Sequence, residues 1–316
     1  MTATPAKAVT PAKAVRRPAD KIFAGLSTAS GLVILTALVL VALFLLLQAW
    51  PALVADPADV RDGQGLAYYI GPLLFGTIYA ALIAVIIAVP LSIGIALFIS
   101  HYAPRRLATV LGYLVDLLAA VPSIVFGFWG LSIVGPMLVP MNKWLNEHFG
   151  WFPPFAGTPS TIGKTMLVVG VVLAIMILPI MTAVNREVFL QTPKLHEEAS
   201  LALGATRWEM IKQAVIPFGK SGIISGVMLG LGRALGETMA VALIISPTAR
   251  YSWELLSGSS SSTIAADIAL KLPESPAGLQ TNTLVASGLV LFALTLIVNM
   301  LARWIVARRS EFSGAN

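Results

Sequence analysis

Long uncharged apolar runs, rather than alternating or amphipathic patterns, set the organisation of this chain. A membrane-crossing helix needs roughly 20 consecutive, mostly apolar residues. Six stretches meet that length: residues 28–50, 70–100, 107–139, 165–185, 222–246 and 283–306. The second carries Pro90, the third Asp116 and Pro122, the fourth Pro179, and the fifth both Arg233 and Glu237. The first run competes with a signal-peptide reading. A signal peptide's apolar region is ~7–15 residues, and this run is longer and begins later, so an uncleaved anchor is expected. Pro122 is expected to bend the third span. Asp116, shortly after Arg105 and Arg106, is expected at the N-terminal end of its helix, where the helix dipole favours a carboxylate.

An even number of spans puts both termini on one side. Lys and Arg placement says which. Lys7, Lys13, Arg16, Arg17 and Lys21 precede the first span, and Arg105 and Arg106 join the second and third. Arg186, Lys194, Arg207, Lys212 and Lys220 fall between the fourth and fifth, and Arg303, Arg308 and Arg309 end the sixth. The opposite loops hold only Arg61, Lys143, Lys164, Arg250 and Lys271. The basic side is read as cytoplasmic, with both termini inside.

Composition agrees with the pattern. The chain has 316 residues, 57% hydrophobic and 11% charged, against about 25% charged in a soluble domain. The net charge of +6 is then an orientation signal rather than a nucleic-acid signature. With no cysteine and three scattered histidines, no thiol chemistry or metal cluster is indicated. A stretch resembling a phosphate-binding loop, Gly157 to Thr165, has five residues between its glycines where the motif has four. No pattern of a hydrolase, zinc protease or calcium site occurs.

The outer loops have their own chemistry. The aromatic segment 142–155 is expected to form a short interfacial helix and a Pro-Pro turn, because Trp and Phe rings favour the membrane boundary. Residues 257–262 are expected to be flexible, with a short helix between there and Gln280.

The fifth run breaks the apolar rule most sharply. A charge at the bilayer centre costs roughly 2.5–3.5 kcal/mol on insertion scales, and this run keeps two, four residues apart. On a continuous helix they share a face. One reading is a mutual salt bridge that only holds the bundle together. The other is a polar site on a transport path, with the Arg233 fork suited to a tetrahedral oxyanion. Glu237 would then orient the guanidinium, or accept a proton-borne hydrogen bond from hydrogenphosphate. Gly222, Gly226, Gly230 and Ala234 recur every fourth residue, a spacing that lets another helix approach closely.

The segment from His196 to Gly222 reads as two short amphipathic helices separated near Gly204, Ala205 and Thr206. Thr206 and Glu209 form a capping-box pair, and Pro217 is expected to follow the second helix. Glu198-Ala199-Ser200, three residues, Gly204, nine residues, then Ala214-Val215-Ile216-Pro217 resembles the EAA loop of ABC-importer permeases. The spacing is intact; Ser200, Ala214 and Ile216 depart from the family's residues. Gly232 to Ala240, reading GRALGETMA, resembles the signature of phosphate permeases of the PstC type. Sulfate and molybdate permeases share its Arg-Ala-x-Gly-Glu core, and the flanking Gly232, Thr238 and Met239, with PSIVFG in the third run, favour phosphate.

The resemblance covers residues 73–306 and carries expectations. The fold is an all-α integral membrane type I ABC importer permease, with six transmembrane helices and a cytoplasmic EAA coupling loop at about 186–221. Residues 1–27 and 307–316 are tails, 28–50 the first transmembrane helix, and 73–306 the transmembrane type-1 domain. Arg233 and Glu237 line the substrate pathway; Glu198, Ala199 and Gly204 couple to an ATPase. The expected partners are a PstA-type permease, two PstB-type ATPase subunits and a PstS-type phosphate-binding protein, in the bacterial inner membrane. The chain itself is expected to bind no cofactor and perform no covalent chemistry, ATP being used by the partner. The rivals are another oxyanion's permease and a stand-alone channel or ion-driven carrier.

Overall fold

The computed structural model describes residues 18–60, 63, 65–246, 248–258 and 261–310. The N-terminal cations Lys7, Lys13, Arg16 and Arg17, together with Arg61 and the last six residues, lie outside them. By contacts the chain forms two units, Met1–Leu47 and Gln48–Asn316. Among the described residues, six helical stretches are long and apolar enough to cross a membrane: Asp20–Val54, Leu66–Tyr102, Ser123–Phe149, Met166–Leu190, Arg207–Leu235 and Leu279–Ile305.

Helix α1 (Pro18–Val54) starts ten residues before the apolar run does, and its first turns expose Ile22, Phe23 and Leu26. Helix α2 (Leu66–Leu97) continues into a π turn, Phe98–Tyr102. Pro90 lies inside it without breaking it. Such prolines are tolerated within bundles because side chains and neighbours satisfy the freed backbone groups.

The third apolar run divides. Helix α3 (Arg105–Ala119) ends before Pro122, and α4 (Ser123–Trp129) begins after it, continuing through a π turn into α5 (Gly135–Phe149). Pro122 therefore breaks rather than bends. Its ring disfavours helical backbone at the preceding residue, and Pro122 itself is extended, with ψ 137°. The span is 123–149, and α3 is a separate helix. Asp116 is exposed in its last turn, the opposite end from the one expected, so the dipole gives it no stabilising role. The aromatic segment also differs from expectation. Its helical part is the end of α5, and only Pro153–Phe155 forms a separate turn, of 3₁₀ type.

Helix α6 (Met166–Leu190) is the most buried span. Thr165 caps it, accepting from the Val168 amide at 3.3 Å. Ala80, Ala84 and Ala88 of α2, four residues apart and fully buried, lie in one cluster with Val168, Val172 and Met176 of α6. Without a hydrophobic drive between helices in lipid, such close packing of small residues supplies the association. Arg186 lies in α6, and its guanidinium rests on Gly112 of α3, where a Cβ would sit 2.2 Å from Nη1.

After α7 (Lys194–Ala202), α8 (Arg207–Met210) runs through a π turn, Ile211–Val215, into α9 (Ile216–Leu235). The second loop helix and span five are thus one helix, and Pro217 does not end it. A proline ring clashes with the carbonyl four residues back in a regular helix, and the wider π turn sits where that clash would fall. The small-residue stripe packs as expected. A Cβ on Gly222 would meet Val188 at 2.3 Å, one on Gly226 the Asn185 Oδ1 at 3.1 Å, and one on Gly230 the Met181 sulfur at 2.7 Å, all on α6.

Helix α10 (Met239–Ile244) follows a break, and α11 (Ile264–Lys271) and α12 (Leu279–Ser310) complete the chain. Of the stretch 257–262, expected to be flexible, Ser257, Ser261 and Ser262 are buried, and Ser259 and Ser260 lie outside the described residues. Ser261 Oγ donates to the Pro72 carbonyl at 2.6 Å, and the Ile264 amide donates to Thr77 Oγ1 at 3.0 Å. These polar groups tie the start of α11 to α2, as buried donors require.

Candidate functional site

Span five ends at Leu235, inside the apolar run that predicted a longer helix. Gly236 and Glu237 lie outside any helix, Thr238 is the N-cap of the next, and α10 starts at Met239. Arg233 and Glu237 therefore do not share a continuous helix face. Each sits at its own helix end. Arg233 is in the last turn of α9, where a cation complements the dipole. Glu237, 8% exposed, accepts from the Ala240 amide at 3.1 Å and so caps the start of α10 with a negative charge.

The salt-bridge reading of this pair is overturned. Among the described residues the ion pairs are His101–Glu197 and Lys271–Asp267, and no hydrogen bond or ion pair reaches the Arg233 guanidinium. That side chain is half-buried. A half-buried guanidinium without an internal partner keeps all of its donors available to an anion. Helix α10 carries the break into the bundle: a Cβ on Gly127 of α4 would lie 2.6 Å from the Ala240 Cα, and one on Gly130 would meet Ile244 at 3.0 Å. The broken helix is thus held against α4 by close backbone contact.

The second candidate region is the EAA loop. Glu198 and Ala199 are exposed on α7, which buries none of its residues. The helix ends in a Schellman motif. The Ala205 amide donates to the Ser200 carbonyl at 3.3 Å, and the Gly204 amide to the Leu201 carbonyl at 3.0 Å. Gly204 has φ +88° and open space around a Cβ. Backbone conformation alone, not crowding, demands glycine there. The expected capping box forms. The Glu209 carboxylate accepts from the Thr206 amide at 2.7 Å, and Thr206 Oγ1 accepts from the Glu209 amide at 3.3 Å.

This loop presents apolar side chains at its tip. Leu203 is 90% exposed and Leu195 74%. It is also tethered to the bundle, through His101 Nε2 to Glu197 Oε1 at 3.4 Å and Ser200 Oγ to Gln213 Oε1 at 3.3 Å. Helix α7 is thus in direct contact with the π turn that ends α2 and with the π turn that leads into span five.

Because only φ makes Gly204 obligatory, substitutions there have an ordered outcome. Gly204→Val is expected to cut transport at unchanged membrane level, and Gly204→Asn to retain more, since Asn tolerates positive φ far better than a β-branched residue. Uptake assays paired with immunoblots of the membrane fraction check this ranking.

The residue pattern left a buried charged group unread. Asp267 of α11 is fully buried. Tyr69 donates a short hydrogen bond to it, Lys271 pairs with it, and Lys271 Nζ also donates to the Tyr69 hydroxyl at 3.2 Å. Asp267 and Lys271 are one turn apart in an otherwise apolar octapeptide, and that spacing was the available signal.

A family profile described as the binding-protein-dependent transport system inner membrane component matches residues 88–311. A Mycobacterium tuberculosis protein named phosphate transport system permease protein PstC 2 is 43% identical over 298 residues, 91% of each chain. The phosphate transport system permease protein PstC of Mesorhizobium japonicum is 38% identical over 306 residues, 94% of this chain and 92% of that one. In fold, the chain is similar to a chain of a bacterial alginate ABC transporter crystallised with its pentasaccharide-bound periplasmic protein. The TM-score is 0.65 and the identity 14%, over 92% of this chain and 95% of that one. A chain of the inward-facing MetNI methionine ABC transporter gives a TM-score of 0.52 at 13% identity, over 77% of this chain and 95% of that one. The chain belongs to the family of binding-protein-dependent transport system inner membrane components.

Proposed function

We propose that this chain is the permease subunit of an ATP-driven inorganic phosphate importer and forms half of the path across the inner membrane. The observation that carries the reading is its similarity, over nearly its whole length, to proteins named PstC. The free Arg233 guanidinium beside the broken fifth span supplies the chemistry. Its planar fork donates parallel hydrogen bonds to two oxygens of a tetrahedral anion, a geometry an ammonium cannot match.

Glu237 adds discrimination. Hydrogenphosphate carries a proton that the carboxylate accepts, whereas sulfate has none to donate and meets only repulsion. Glu237→Gln is therefore expected to narrow the preference for phosphate over sulfate, read as competition by sulfate in labelled-phosphate uptake. An unchanged ratio would remove this role from Glu237.

The chain contributes no hydrolytic step. A PstB-type ATPase pair binds at α7, with the Leu195 and Leu203 side chains entering its surface and Glu198 and Ala199 at the contact. ATP binding and hydrolysis there move α7 and switch the path between its two openings. A PstA-type permease forms the other half of the path, and a PstS-type protein delivers phosphate from outside. The excess of Lys and Arg at the EAA-loop end supports a cytoplasmic position for that end and for both termini. Complementation tests the reading. In a strain stripped of its own phosphate permeases, this chain with its partner subunits restores labelled-phosphate uptake. Uptake that survives loss of every ATPase partner would make it a channel or ion-driven carrier instead.

A further inference from the structure

An apolar groove of about 520 Å³ runs along the outside of the bundle near its EAA-loop end. One wall is α2, with Pro90, Ile93, Gly94 and Leu97; the other is the α8–α9 helix, with Trp208 and Ile216. Gly94 has nothing within 4 Å of where a Cβ would stand, so the groove is open rather than self-filled. Its lining runs from Pro90 to Tyr102, roughly 18 Å at the helical rise. Half of a ~30 Å hydrocarbon core is about 15 Å. The groove is thus the length of one leaflet's acyl chain.

Its two ends differ chemically. The Pro90 end lies within the span and is apolar. The Tyr102 end carries the two rings, Tyr102 and Trp208, and the cations gather there. Lys212 Nζ stands 5.2 Å over the Trp208 ring, Arg207 precedes Trp208, and Arg105 and Arg106 follow Tyr102 after two residues. Arg207, Lys212, Arg105 and Arg106 are all exposed. The nearest acid on α8, Glu209, is turned to the Thr206 amide and hydroxyl. An apolar slot one leaflet deep, with aromatic rings at one end, Lys212 over one of them and three exposed arginines close by in sequence, has the polarity of a single amphiphile with an anionic head. We propose that the groove binds an anionic phospholipid of the leaflet at the EAA-loop end. One acyl chain lies against Gly94, and the phosphate sits among Lys212, Arg207 and the Arg105–Arg106 pair.

The test uses the assembled transporter in lipid nanodiscs. Phosphatidylglycerol and phosphatidylcholine carrying a photoreactive diazirine in mid-chain are compared, with labelled peptides identified by mass spectrometry. Phosphatidylglycerol is expected to label the segment around Ile93–Leu97 and that around Ile216, about fivefold more than phosphatidylcholine for each cation engaged. The double variant Arg207→Gln, Lys212→Gln loses most of that preference. Gly94→Leu, which the open space accommodates, removes the labelling while the transporter still assembles. Equal labelling by the two lipids, no labelling of these segments, or capture of a helix of another subunit there would each overturn the proposal. None of these outcomes depends on which substrate is carried.

Discussion

Arg233→Ala is expected to lower phosphate uptake by roughly two orders of magnitude while leaving the protein in the membrane at its usual level. The size follows from what the guanidinium does. A hydrogen bond to a charged group contributes about 1.5–3 kcal/mol, and each ~1.4 kcal/mol is a factor of ten in rate. The selectivity of the effect follows from the fold. Among the described residues no ion pair or hydrogen bond depends on this side chain, so its removal leaves none of their polar groups unpaired. Arg233→Lys, which keeps the charge and loses the fork, is expected to fall between the two. Uptake of labelled phosphate, normalised to the amount of assembled complex, reads all three. A loss of uptake that tracked a loss of assembled complex would mean that Arg233 is structural.

Asp267→Ala is expected to do the reverse, damaging the fold before it damages transport. Asp267 is fully buried among Tyr69 and Lys271. Removing one partner of a buried pair typically costs about 3–5 kcal/mol, because the remaining charge is left uncompensated. Here that charge is Lys271, whose side chain is 16% exposed. Thermal unfolding of the detergent-purified complex should show a clearly lowered midpoint for Asp267→Ala. The double change Asp267→Leu, Lys271→Met should recover most of it, since an apolar pair of similar volume avoids the stranded charge. Midpoints that leave Asp267→Ala equal to the parent would show that the Tyr69–Asp267–Lys271 group does not hold α11 to α2.

These two sites mark where the residue pattern could and could not be read. Apolar length gave the number of spans and placed several of them well: the stretch 165–185 has nowhere to go but a membrane, and its helix was found at Met166–Leu190. Glycine spacing located the α6–α9 contact, because small residues at every fourth position have one packing consequence. The EAA-loop cap was legible through Thr206 and Glu209, whose mutual bonds depend on nothing distant. The failures are all places where tertiary packing decides the backbone. Gly236 and the Glu237 cap on the Ala240 amide are only weak local signals for a stop, since the apolar pattern continues on both sides. The break is stabilised by α10 lying on Gly127 and Gly130, some hundred residues away. Pro122 and Pro217 look alike in sequence, yet one separates two helices and the other lies in a continuous helix beside a π turn. The run around 107–118 read as part of a span because Leu107, Val110, Leu114 and Leu117 are apolar; on α3 these residues are exposed.

The consequence for mechanism is a division of labour. Arg233 and Glu237, spaced as a salt bridge, are separated by a helix break that leaves each at its own helix end, and the proposed function gives each a different task there. The tethers from α7 to His101 and Gln213 give movement at the EAA loop a physical route to the ends of α2 and span five. In the proposed reading, substrate chemistry and energy coupling occupy opposite ends of one continuous helix, Arg207–Leu235, about 43 Å long.

The most direct test is labelled-phosphate uptake into vesicles reconstituted with this chain, its permease and ATPase partners and the external binding protein. The account predicts uptake that requires ATP on the EAA-loop side, resists excess sulfate and molybdate, and disappears with Arg233→Ala. Uptake that proceeds without ATP, or that sulfate or molybdate suppresses as well as unlabelled phosphate does, would contradict it.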